Sequence, residues 1–304
     1  MQEDNVLTRY TYLLLGLFAA SPAASDPVEL STFVALPRPA PTVEIPYGPA
    51  SSQGIDVFLP DGPGPHPVAI LIHGGCWRDL PGAGREQLRH LGPELTQHGI
   101  AVWSVGYRRA DEPGGGYPGT FQDVAEAVDR VQSEAARYRL DLSRTVLVGH
   151  SAGGHLALWA AARRHLSGTS AIYKSAPFVP GHVISLAGIG DLQGFARFVP
   201  TICGPGIIER LTTRMPRSGD AFAEVSPVAL PAPDAEIVMV SGVLDRLVPP
   251  YVAYDYARAL ERKGAAPTEV LNIPNAGHFD LVTPGAPAWS EVRSRVLALL
   301  GAMR

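Results

Sequence analysis

The chain has 304 residues, of which 46% are hydrophobic and 18% charged, with a formal net charge of −4. That length supports one large domain with a well-buried core, and the charge balance excludes the clustered basic face that nucleic acid or an anionic membrane surface would require. Two cysteines, Cys76 and Cys203, are too few for a disulfide scaffold or a zinc framework, although an oxidising compartment would permit them to pair.

In chain order, the first feature is an apolar run over residues 12–20, too short to span a bilayer and followed by Ala23, Ala24 and Ser25. This predicts a signal segment over residues 1–25, export to the periplasm or medium, and a mature domain over 26–304. Arg9 alone supplies positive charge there, against Glu3 and Asp4. An uncleaved anchor or a shifted start codon are the alternatives, and without a signal the chain is cytoplasmic. No later segment is long and apolar enough to cross a membrane.

From about residue 28 the chain reads as strand-rich, with β elements over 43–47 and 53–59 before the proline-glycine turn at 60–65. Short apolar runs then alternate with amphipathic stretches. The runs at 68–72, 100–105, 145–148, 183–186, 237–240 and 269–273 read as strands, and residues 84–98, 119–138, 152–165, 250–263 and 287–302 as helices. This alternation predicts an α/β fold with a mainly parallel sheet flanked by helices. One connection is far longer than the rest. Residues 188–235 carry Phe195, Phe198, Ile202 and Leu211 among glycines and prolines, and are expected to fold as short helices forming a lid at the carboxyl ends of the strands.

The run at 145–148 leads into Gly149-His150-Ser151-Ala152-Gly153-Gly154 and then a helical stretch, which is Gly-x-Ser-x-Gly in a strand-turn-helix setting. A serine hydroxyl needs a base to take its proton and an acid to orient that base. His278 follows the run at 269–273, and Asp245 follows the run at 237–240, so both fall at carboxyl ends of strands; Asp280 and Asp255 are reserve acids. The order Ser151, Asp245, His278 is that of an α/β-hydrolase triad. After the run at 68–72 comes His73-Gly74-Gly75-Cys76-Trp77. The N–H groups of Gly74, Gly75 and Ala152 are the candidates for binding an oxyanion. Trp77 is a candidate for lining the acyl pocket, with packing beneath the loop as the alternative, and His73 reads as structural. Pairing of Cys76 with Cys203 would tie this loop to the lid.

His73-Gly74-Gly75, Tyr107-Arg108, the segment from Tyr117-Pro118 to Asp123, the serine motif, Asp245 and Ala276-Gly277-His278 together resemble the α/β-hydrolase superfamily. Within it they are similar to the carboxylesterase and hormone-sensitive-lipase-like group, and more closely to esterases related to feruloyl esterases and arylformamidases. Cys76 stands where the lipase-type loop has a third glycine, and Gly106 where many relatives carry an aspartate before Tyr107. The resemblance covers about residues 40–302. It implies about eight strands, no metal or other cofactor, and hydrolysis of carboxylic esters of small or aromatic acyl groups through an acyl-enzyme. It also implies that Arg108 and Asp123 pair to steady a loop. An amidase using the same triad is the first alternative and a non-catalytic binding protein the second. The expected partner is a small-molecule ester, with no nucleic acid; oligomeric state is not legible.

Overall fold

The computed structural model describes residues 26–212 and 219–302, so the expected signal at 1–25 lies outside the described residues. The first element, α1 (Leu30–Val34), is a helix where the sequence reads as strand-rich. Phe33 is its one buried side chain, and burying that ring against the domain outweighs the short segment's weak helix preference. Next come β1 (Val43–Pro46), β2 (Gly54–Phe58) and β3 (His66–Ile72), the last buried along its whole length.

The expected helix at 84–98 is two pieces, a 3₁₀ turn at Arg85–Leu88 and α2 (Leu91–Thr96). Pro93 explains the break, because its ring and missing N–H do not allow a helix to run through from four residues earlier. β4 (Ala101–Val105) is followed by α3 (Gly119–Tyr138), which buries Phe121, Val124, Val128 and Val131 on one face. Arg139, in the left-handed region at φ 53°, ends that helix and turns the chain directly into β5 (Leu140–His150). β5 starts earlier than its apolar run, because residues 141–144 lie at the partly exposed end of the strand, where Asp141, Ser143 and Arg144 carry polar side chains.

α4 (Ala152–Ala162) is buried on every face, as a helix apolar all round must be. β6 (His182–Leu186) leads to the lid segment, which forms α5 (Leu192–Phe195), α6 (Val199–Cys203) and α7 (Ile207–Leu211). The remainder is β7 (Glu236–Gly242), α8 (Tyr251–Arg262), β8 (Glu269–Ile273) and α9 (Pro287–Leu299).

Among the described residues the strands form one eight-stranded sheet in the order β1-β2-β4-β3-β5-β6-β7-β8. β1 and β2 pair antiparallel at one edge, β2 joins β4 antiparallel, and every pairing from β4 to β8 is parallel. The carboxyl ends of β5, β7 and β8 therefore open on one side of the sheet, where ligands bind in α/β proteins. Ser151, Asp245 and His278 all follow those ends.

Candidate active site

Ser151 sits at the corner between β5 and α4 with φ 56° and ψ −118°, a backbone conformation that costs a non-glycine residue about 1–3 kcal/mol. The corner is held by the Ser151 N–H, which donates to the carbonyl of Leu186 at 2.8 Å. Both glycines of the motif are required by close approach. A Cβ at Gly149 would lie 2.1 Å from the carbonyl oxygen of Gly153, and one at Gly153 would lie 2.1 Å from that of Ile72. The motif is thus shaped by β3 as well as by its own turn.

Asp245 and His278 are both buried, and the His278 Nδ1–H donates to Asp245 Oδ2 at 2.7 Å. The other carboxylate oxygen of Asp245 accepts from the N–H groups of Leu247 and Val248 at 2.8 and 2.9 Å. The carboxylate is thereby fixed in place with one oxygen aimed at the imidazole. The reserve acids are elsewhere. Asp280 accepts from the backbone N–H groups of Val28 and Gly277, both at 2.9 Å, and Asp255 lies exposed on α8. The backbone of His278 is itself pinned, since the His150 Nε2–H donates to its carbonyl at 3.1 Å. Burial, with the neighbouring His278 adding to it, holds His150 well below the ordinary histidine range, so it stays a neutral donor.

The structure separates the three candidate oxyanion donors. The Gly74 N–H donates to Gln87 Oε1 at 2.9 Å, and Gly74 does not border the cavity that holds Ser151 and His278. Gly75 and Ala152 do border it. Gly74 is therefore a fixed point of the loop, and Gln87, whose side-chain N–H also donates to the Gly82 carbonyl at 3.1 Å, is the residue that fixes it. Nothing in the local sequence marks Gln87, because it reads as one polar position in an amphipathic stretch. Gly75, Cys76 and Trp77 follow one another in the left-handed region, at φ 104°, 57° and 53°.

Trp77 borders the cavity yet is only 1% exposed, and its indole N–H donates to His155 Nδ1 at 3.2 Å. It packs beneath the loop, the alternative reading of its role, and offers substrate little surface. His155 donates from Nε2 to the Val225 carbonyl at 2.8 Å, so one buried imidazole links α4, the loop and the lid segment. His73 is fully buried, stacks on Tyr107 with ring centroids 4.3 Å apart, and donates from Nδ1 to the Gly74 carbonyl. Burial pushes both His73 and His155 down to about 4. Arg108 and Asp123 form a two-pronged ion pair at 2.7 and 2.8 Å, and Asp191 caps α5 through the Gly194 N–H.

The cavity over Ser151 measures about 730 Å³. Its wall is apolar, with Leu80, Phe195, Val199, Ile202, Leu247 and Phe279 prominent, and no lysine, arginine, aspartate or glutamate borders it among the described residues. A disulfide joins Cys76 and Cys203, which both line it. A hollow of about 830 Å³ at the amino ends of β3 and β4 is larger but holds none of the candidate residues. Among the described residues there is no cluster of three or more His, Cys, Asp or Glu side chains placed to hold a metal ion, and no helix long and apolar enough to cross a membrane.

The sequence profile of BD-FAE matches residues 55–260, well over half of the chain. The chain belongs to the BD-FAE family of α/β-hydrolase esterases. This BD-FAE member is 33% identical to a kynurenine formamidase of Danio rerio over 152 residues, covering 50% of this chain and 47% of that protein. It is 28% identical to esterase LipQ of Mycobacterium tuberculosis over 267 residues, covering 85% and 60% of the two chains. It thus spans about half to three-fifths of the length of these two curated relatives. Among solved structures, a truncated carbohydrate esterase from gut microbiota superposes with a TM-score of 0.68 at 21% identity, covering 86% of this chain and 98% of that one. That likeness shows the α/β-hydrolase fold of the BD-FAE member.

Proposed function

We propose that this BD-FAE family member is a carboxylic ester hydrolase that works through a serine acyl-enzyme. His278 takes the proton of the Ser151 hydroxyl as its oxygen attacks the ester carbonyl, and the N–H groups of Gly75 and Ala152 receive the oxyanion. Asp245 holds His278 in the tautomer that leaves Nε2 free to act and stabilises the imidazolium. The alcohol departs with the proton from His278, and water then cleaves the acyl-serine with the same groups in reverse roles. The observation that carries this reading is the 2.7 Å bond from His278 to a fully satisfied Asp245, on a cavity whose floor is the strained Ser151.

The uncharged wall supports a small or aromatic acyl group selected by shape rather than by charge. Purified protein should cleave short acyl nitrophenyl esters, act more weakly on long chains, and leave ordinary peptides intact. Absence of esterase activity across such a panel would overturn the reading. One observation favours a second reading, amide cleavage: the identity to a protein named kynurenine formamidase. A kcat/KM for an N-formyl-aryl amide well above that for every ester would put it first. Export after removal of residues 1–25 is the accompanying proposal, tested by the intact mass of protein from its native host, which should begin near Asp26.

A further inference from the structure

The segment before the first strand takes part in the site, although it lies outside the stretch matched by the family profile. Leu30, Ser31 and Val34 of α1 border the cavity over Ser151. Phe33, 2% exposed, stacks on Phe279 with centroids 5.0 Å apart and planes 20° from parallel, and its ring also meets His90 and His150. Phe279 is the residue after His278. The backbone is fastened as well: the Val28 N–H donates to the same Asp280 oxygen that accepts the Gly277 N–H. Pro27 covers Gly277 so closely that a Cβ there would lie 2.7 Å from the proline Cβ.

We propose that residues 27–34 form a specificity-determining strap, with Leu30 and Val34 as one wall of the substrate cavity and Phe33 as a positioning residue for the loop that carries His278. The group this wall receives is an uncharged hydrocarbon part of the ester, because Leu30 and Val34 offer only apolar surface. The strap acts on the imidazole indirectly. Phe33 fills the space against Phe279 and His150, and His150 in turn holds the His278 carbonyl.

The proposal rests on the reading of Ser151 and His278 as catalytic, and its test separates the two. In the full chain, Val34→Phe should narrow the cavity and Leu30→Ala should open it. Each should change the ratio of kcat/KM for nitrophenyl octanoate to that for nitrophenyl acetate by at least about fivefold, in opposite directions. Phe33→Ala should lower kcat about tenfold with a smaller effect on KM and move the acid limb of the kcat pH profile, while Phe33→Leu restores most of both. Thermal melting shows whether each variant is folded. An unchanged ratio in the two wall variants, or a Phe33→Ala protein that loses melting temperature alone, overturns the proposal. If the wild type cleaves no ester, the catalytic reading fails by itself and the wall is read by calorimetric binding of 1-octanol. Val34→Phe should then weaken binding at least about fivefold; equal binding, or none to the wild type, overturns the wall.

Discussion

Cys203, the last residue of α6, is bonded to Cys76, which directly follows Gly75 on the loop over Ser151. The lid and the proposed oxyanion donor are therefore one covalent unit, which the sequence allowed but could not place, because loop distances are not written in composition. A cross-link spanning 127 residues of sequence stabilises a fold by roughly 2–5 kcal/mol. Reduction, or Cys76→Ser with Cys203→Ser, should lower the melting temperature and cut kcat/KM about tenfold. Mass analysis after non-reducing alkylation should find no free thiol in the wild type.

Ser151→Ala and His278→Ala should each reduce kcat by roughly four to six powers of ten, and the double variant should be little worse than either. Asp245→Asn should be damaging but less so. Asp280→Asn should cost stability through its hold on Val28 and Gly277. Near-normal turnover by Asp245→Asn with an inactive but folded Asp280→Asn would reverse the assignment of the acid; steady-state kinetics with melting curves decides between them.

Gln87→Leu should leave the Gly74 N–H and the Gly82 carbonyl without their present partner. An unsatisfied buried polar group costs about 1–3 kcal/mol, and a displaced Gly75 should appear as a kcat loss of about tenfold with KM little changed. Turnover equal to wild type would show that the loop holds its shape without Gln87.

His73 and His155 are neutral in the folded protein, each held down to about 4 by burial from the ordinary histidine value of about 6.5. The unfolded chain binds protons to them more readily, so their contribution is fully present above about pH 6.5, is lost as pH falls towards 4, and levels off below that. Each is worth roughly 3 kcal/mol across that window. Denaturant melts should show stability falling from pH 6.5 to 4, with a shallower slope in His155→Gln.

The fold was legible where chemistry repeats with the geometry. All eight strands fall where strands were expected, six on apolar runs and two on the β elements before residue 60, and α3 matches its expected span of 119–138 because its buried residues recur at helical spacing. The serine motif, Asp245 and His278 were legible because each stands directly after a strand. What the sequence concealed depends on contacts between distant residues. Gln87 reaches Gly74 across 13 positions, and Val28 reaches Asp280 across 252. Trp77 could not be assigned until His155, 78 positions away, was seen to accept its N–H. α1 was hidden because five residues carry no readable period, and only Phe33 explains why they coil.

The clearance around Gly153 also bears on how the molecule is made. Its neighbour is the Ile72 carbonyl, on a strand that pairs with β5 in the middle of the sheet. The turn that lifts Ser151 is therefore not a local structure that can form as soon as its own residues leave the ribosome. It must wait for two strands separated by an intervening strand and two helices to find their register, a slow class of event in folding. Competence to react should be among the last properties a new chain acquires, so a nascent or partly folded molecule carries a serine that is chemically ordinary. In refolding, recovery of helical circular dichroism should run ahead of recovery of labelling by a serine-directed phosphonate.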